Sequence, residues 1–299
     1  MSAVTDVRSP LLLSAKPSGP RAVKNVLATV LVTIAFAIAL IPLLWILYTV
    51  ISRGAGLLLD SSWWSQSQRG ITTRREGGGA YHAILGTLLQ AAVTTAISVP
   101  IGILTAIYLV EYGRGRLRRL VSFMVDILTG VPSIVAGLFI YAVWVTTFGF
   151  QRVAFAVSLA LVLLMVPVIV RSTEEMLKLV PNELREASYA LGVPKWKTIA
   201  SIVLPTALSG IITGVMLGVA RVMGETAPLL ILGPYSTSIA TDLFNGNMAT
   251  LPTMININRS DLGLPPAYDR VWAAALTLIL LVLLLNVAAR VIARFSKIS

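Results

Sequence analysis

Six stretches of this chain stay apolar for about the 20 residues that a membrane-spanning helix requires, and no other feature constrains the fold so strongly. They cover roughly 24–51, 81–110, 120–147, 153–174, 199–232 and 271–293. In lipid, every backbone N–H and C=O must find a partner within the protein, so each stretch is expected to be helical. The predicted fold class is an all-α integral membrane protein with six transmembrane helices. Composition agrees, because only 12% of the 299 residues are charged, about half the proportion of a soluble domain. The second and fifth stretches are longer than a bilayer needs, which predicts tilt or extension beyond it.

The formal net charge is +11, yet the basic residues are not gathered on one soluble face as nucleic-acid binding requires. They lie in short segments between the apolar runs, where topology signals sit. Sixteen of the 24 Lys and Arg fall within 1–24, 114–119, 171–197 and 290–297, against seven within 53–75, at 152 and within 259–270. The positive-inside rule then places both termini in the cytoplasm. Arg221 belongs to neither group. The chain has no Cys and a single His, His82, which excludes disulfides and thiolate metal sites. No signal peptide is evident, because the first apolar run is too long and lacks a small-residue cleavage site. Residues 1–22, with Pro10, Pro17 and Pro20 and no apolar period, are expected to form a disordered cytoplasmic tail. Residues 23–299 are expected to form one six-span membrane domain.

Two outer segments are sizeable, 53–80 and 233–270. The first holds Trp63 and Trp64, expected as an interfacial anchor or as a surface for an outer partner. His82 is expected at the interface too. Pro100 and Pro132 predict kinks buried in a helix bundle. Asp126 is expected near the cytoplasmic interface, with Arg118 or Arg119 beside it.

The segment 175–205 is the most informative. Pro181 suits the first turn of a helix, Gly192 can end it in the left-handed conformation, and Pro194 prevents its continuation. The helix between is too short to span. Leu184, Ala187, Ser188 and Leu191 form its apolar stripe, with Glu183, Arg185, Glu186 and Tyr189 around the rest. Such a helix lies on the membrane surface or inserts its small residues into a groove of another protein.

Glu186, Ala187 and Ser188, then Gly192 and Pro205, resemble the EAA motif of permease subunits of ATP-binding-cassette importers. Ser188 stands where the commonest pattern has Ala. The resemblance narrows with GTLLQAAVTTAISVPIGILTAIYLVEYG after three glycines at 77–79, VPSIVAGL at 131–138 and RVMGETAPLL at 221–230. These are similar to the phosphate-specific importer permeases, and the ETAPLL ending to one of their two paralogous subunits. The resemblance implies a type I importer permease fold and a cell-membrane assembly for phosphate. It implies a second permease, two cytoplasmic ATPase subunits and an extracytoplasmic phosphate-binding protein. This chain would bind no cofactor and perform no catalysis. It has no G-x-x-x-x-G-K-[ST] loop, so ATP would be hydrolysed by a partner subunit.

Within the fifth run, Gly210, Gly214 and Gly218 form a Gly-x-x-x-Gly stripe that lets another helix approach closely. At 100° per residue, Arg221 and Glu225 share that face. A mid-span charge is costly and marks a pathway or a paired site. Both readings are open: a structural ion pair, or a guanidinium that meets an anion between subunits. Arg171, Glu174, Glu175 and Lys178 share one face at the inner end of the fourth run. They read as a solvated helix end, while the resemblance implies that Arg171 and Glu174 take part in phosphate passage. Competing readings are a permease for sulfate or molybdate, and a self-sufficient carrier or channel. A carrier is expected to show a repeat with unwound half-helices, and this sequence shows no second copy of the 175–205 segment.

Overall fold

In the computed structural model, residues 19–295 are described. Residues 1–18, which include most of the expected tail, lie outside them. The chain divides into two units, Met1–Thr49 and Val50–Ser299. Helix α1 runs Pro20–Leu58 across the boundary. In the first unit, Thr29 and Thr33 return their hydroxyls to the carbonyls of Asn25 and Thr29, at 2.9 and 2.8 Å. Polar side chains in an apolar helix are satisfied in this way within their own segment.

The second unit has helices and connecting loops but no strand among the described residues. After α2 (Ser61–Ser65), α3 runs Tyr81–Ile107 and continues as a π-helical turn through Tyr112. Then come α4 (Gly115–Gly130), α5 (Ser133–Ile140, prolonged by a π-helical turn to Thr147) and α6 (Ala154–Lys178). Short α7 (Asn182–Ala190) and α8 (Lys195–Thr198) precede a π-helical turn and α9 (Leu204–Gly224). The chain ends with α10 (Ala227–Leu232), α11 (Leu251–Arg259) and α12 (Pro265–Phe295).

Five helices are long and apolar enough to cross a membrane, and α4 with α5 makes a sixth if that bent pair is one span. The expected third run is therefore not one straight helix: its halves meet at 108°. Proline disfavours helical backbone in the residue before it, and Val131 and Pro132 are both extended, with ψ of 125° and 139°. Pro132 and Pro100 are exposed on this chain rather than buried in the bundle.

The fifth run is corrected as well. Its helix ends at Gly224, Glu225 is extended at ψ 141°, and α10 starts afresh. Pro228 has no N–H for the Gly224 carbonyl, which favours a break there, although α1, α3 and α6 run through an internal proline. At its other end, α9 is continuous with α8 through the π-helical turn Ile199–Val203. Pro205 follows that turn, where its missing N–H shifts the hydrogen-bond register.

Helix α6 is the buried centre, packed between α3 and α9. The glycine stripe makes the α6–α9 contact: Gly210 faces Met176, Gly214 faces Ser172, and Gly218 faces Met165 and Ile169. The ascending order on one helix and descending order on the other make the pair antiparallel. A second cluster joins Ala106, Leu109, Val125, Val170, Leu177, Val203 and Ile211 where α3, α4, α6 and α9 meet.

Several residues expected at the surface turn inward. Trp63 is 1% exposed and donates its indole N–H to the Thr277 hydroxyl at 2.9 Å, so it belongs to the core between α2, α3, α11 and α12. Only Trp64 stays exposed. His82 is buried against Tyr235, its Nε2 3.3 Å from the phenol oxygen. Tyr235 in turn donates to Gln68 Oε1 at 3.1 Å. Burial pushes the Tyr235 phenol up to about 12, which keeps it a donor. Arg270 is also buried and donates to the carbonyls of Thr72, Arg75 and Gly77. It anchors the 53–80 segment to α12.

Candidate functional site

Three groups of charged residues sit on this scaffold. The first lies on α6, toward its α7 end. Arg171 donates to Glu174 Oε2 at 2.5 Å and to both the carbonyl and hydroxyl of Ser122 at 3.0 Å. It also pairs with Asp126. Lys178 closes the group on Glu174 Oε1 at 2.7 Å. Glu174 is buried, while Glu175 points away and is exposed. This is a charge network of two cations and two carboxylates, built on buried Glu174, with Asp126 and Lys178 still more than half exposed to solvent. Charge-assisted bonds to a guanidinium fork fix geometry as well as distance, so Arg171 holds α4 against α6. Asp126 therefore finds its partner 45 residues away, rather than at Arg118 or Arg119.

The second group is Arg221 with Glu225. Arg221 occupies the last turn of α9, nearer the helix end than the apolar run suggests. A cation there is favoured by the unpaired carbonyls of the helix C-terminus. Its Nε lies 3.6 Å from Glu225 Oε1, with the Arg side chain 47% exposed. That separation exceeds a hydrogen bond. Arg221 thus leaves the buried glycine face and presents its guanidinium at the surface of this chain. Gly214, level with Ser172, precedes Arg221 by seven residues, so the two arginines stand about 10 Å apart along the α6–α9 axis.

The third group is the α7–α8 segment. Pro181 caps α7, and Gly192 ends it at φ +75°, as the sequence predicts. The face it presents matches the stripe read from periodicity at Leu184, Ala187 and Leu191 but not at Ser188. Leu184, Glu186, Ala187, Tyr189 and Leu191 are exposed, but Ser188 is buried and bonded to the Thr198 hydroxyl at 2.8 Å. Ser188 staples α7 to α8 instead of offering a small residue outward. Arg185 also turns in, toward Glu111, with side chains 12% and 6% exposed. Neither Glu111 nor the inward turn of Arg185 was apparent in the sequence, since 74 residues separate them. The only signal was a lone carboxylate just before a Gly and a run of arginines.

Long apolar helices, a charged terminus on one of them and an exposed short helix tied into the bundle make this a multi-span helical membrane protein. Among the described residues no group of His, Cys, Asp and Glu is arranged to hold a metal. The chain belongs to the family of binding-protein-dependent transport system inner membrane components, which matches residues 98–297. It is 56% identical over 274 residues to phosphate transport system permease protein PstA 1 of Mycobacterium tuberculosis, covering 91% of this chain and 89% of that one. It is 40% identical over 275 residues to PstA of Pasteurella multocida, covering 91% and 95%. Among solved structures, it is similar to an inward-facing MetNI methionine ABC transporter, with TM-score 0.56 and 21% identity over 73% of this chain and 94% of that one. A bacterial ABC transporter for the acidic polysaccharide alginate gives TM-score 0.57 and 16% identity over 90% and 94%. These likenesses establish the fold as that of ABC importer permeases, and the chain as a non-enzymatic inner-membrane component.

Proposed function

We propose that this chain forms part of the translocation pathway of an ATP-driven importer of inorganic phosphate. The names and 56% and 40% identities of its relatives support the substrate. The observation that carries the mechanism is Arg221: a half-exposed guanidinium at a broken helix end, with one carboxylate nearby and no hydrogen bond to it. A phosphate entering a passage sheds much of its hydration. A guanidinium fork replaces part of that through parallel hydrogen bonds, which a Lys point charge does not reproduce. Glu225 keeps the site from binding too tightly for release. Arg171 and Glu174 form a second, charge-balanced level nearer the α7–α8 segment, whose pairings an anion must exchange to pass.

In this reading, a second paralogous permease completes the pathway. One of two cytoplasmic ATPase subunits receives the face formed by Glu186, Ala187 and Leu191, and the other serves the second permease. Gly192 and Pro205 fix that segment's ends, and Ser188 holds it from inside. An extracytoplasmic phosphate-binding protein delivers the anion, and the lipid bilayer surrounds the apolar helices. Counting the bent α4–α5 pair as one span gives six, an even number that is compatible with both termini on one side of the membrane; the Lys and Arg distribution favours the cytoplasmic side.

The test is reconstitution of the complete complex in vesicles, followed by uptake of labelled phosphate against competing sulfate and molybdate. ATP-dependent uptake displaced only by phosphate is expected. Uptake without ATP defeats the importer reading, and displacement by sulfate or molybdate defeats the substrate. A reporter fused after residue 150 should read extracytoplasmic, and a cytoplasmic signal there makes α4–α5 re-entrant.

A further inference from the structure

We propose that the buried Glu111–Arg185 pair is the link through which the α7–α8 segment moves α3. This rests on the reading that the segment meets an ATPase. Arg185 donates through Nε and Nη2 to one Glu111 oxygen, at 3.1 and 2.9 Å. It also donates through Nη1 to the Val180 carbonyl at 2.6 Å and through Nη2 to that of Leu177 at 2.9 Å. One side chain therefore grips the end of α6, the following turn and the carboxylate beyond α3.

A second grip comes from α8. Lys195 donates to the Glu111 carbonyl, and its ammonium lies 4.8 Å from the Tyr112 ring centroid. The Ser188–Thr198 bond joins α7 to α8, so one stapled unit holds Glu111 twice, at its carboxylate from Arg185 and at its carbonyl from Lys195, and Tyr112 once. Glu111 and Tyr112 close the π-helical turn Tyr108–Tyr112. π-Helical turns interrupt regular helix geometry and recur at functional sites.

A buried ion pair is weak support for stability, because desolvation offsets the attraction. What this one supplies is a fixed angle between the segment and α3. Beyond it, α3 closes on α6 where a Cβ on Gly102 would meet Ile169 at 2.6 Å. A displacement at Glu111 is thus passed to the helix that carries Arg171.

The experiment uses the complete reconstituted complex and measures phosphate uptake and ATP hydrolysis together. Glu111→Gln preserves size and removes the charge. The double variant Glu111→Met with Arg185→Met removes both charges without leaving one unpaired. The expected result for both is an assembled complex that still hydrolyses ATP, with uptake per ATP lowered by about tenfold, within the usual range of coupling between sites. An assembled variant with the parent ratio overturns the proposal. If the double variant does not assemble, Glu111→Gln decides. If neither assembles, the pair serves the fold alone and the proposal is equally overturned. Ala187→Arg, on the exposed face, tests the underlying reading separately. A complex that still holds its ATPase and transports with Ala187→Arg removes that reading, whatever the Glu111 variants do.

Discussion

The glycine stripe of α9 gives a prediction whose size follows from what a Cβ would meet at each of its three glycines. A Cβ added at Gly214 would lie 2.2 Å from the Ser172 Oγ and 2.5 Å from its Cβ. The hydroxyl can rotate away, giving up its 3.2 Å bond to the Ile169 carbonyl, but the Cβ cannot. The helices must part, and such overpacking costs about 1–3 kcal/mol. At Gly210 the obstacle is the Met176 Sδ at 2.1 Å and Cγ at 2.6 Å, part of a flexible side chain that can move. At Gly218 the nearest atoms are at 3.4 Å, ordinary contact, and Ala there gains from a stiffer unfolded chain. The predicted order of destabilisation is therefore Gly214→Ala, then Gly210→Ala, with Gly218→Ala neutral or stabilising. At about 2–4 °C per kcal/mol, Gly214→Ala should lower the melting midpoint of the purified protein by roughly 2–12 °C. Adding Ser172→Gly, which removes the colliding Cβ, should recover most of that loss. Differential scanning fluorimetry on the lipid-embedded protein makes the measurement. If Gly214→Ala melts at the parent temperature while Gly218→Ala falls, the stripe does not set the α6–α9 distance.

Trp63→Phe removes the indole N–H and leaves the Thr277 hydroxyl bonded only to the Ala273 carbonyl; a loss of about 1 kcal/mol is expected, read from the same melting curves. Gly192→Asp places a side chain at φ +75°, where a Cβ is strained. The subunit should insert normally, while co-purification with the ATPase weakens and uptake fails; normal uptake with a stable protein contradicts the docking role. Arg221→Gln should abolish phosphate uptake and leave the complex assembled, and Arg221→Lys should retain part of it. If Arg221→Gln combined with Glu225→Gln restores uptake, the two form a structural pair and the anion role falls.

The α7 segment shows how much of this was legible in residues alone. Its position, length and ends were readable, because Pro181, Gly192 and Pro194 act on the backbone within a few bonds. Which of its side chains turn inward was not. Periodicity assigned Ser188 to the outward stripe and Arg185 to the solvated side, yet both turn inward. A nine-residue helix with mixed faces buries whichever one finds partners, and those partners, Thr198 and Glu111, are set by packing. The same distinction separates Arg171 from its neighbours. Spacing grouped it correctly with Glu174 and Lys178, three and seven residues on, but not with Asp126.

By itself, the sequence determined the helical class, the apolar runs and the ends of the short helix α7. Each depends on a local rule: lipid offers the backbone no partner, so an apolar run of sufficient length must bond within itself as a helix. Pro228 and Pro132 favour the breaks at Gly224 and Val131 as well, though local rules bear only on where a helix stops. The tertiary structure decided the 108° turn between α4 and α5, the burial of Trp63, His82 and Arg270, and the exposure of Arg221. It also decided the pairings across 45 and 74 residues that hold Asp126 to Arg171 and Glu111 to Arg185. Those outcomes turn on which surfaces meet when the helices pack, and a side chain's partner there is chosen by distance in space, which no window along the chain contains.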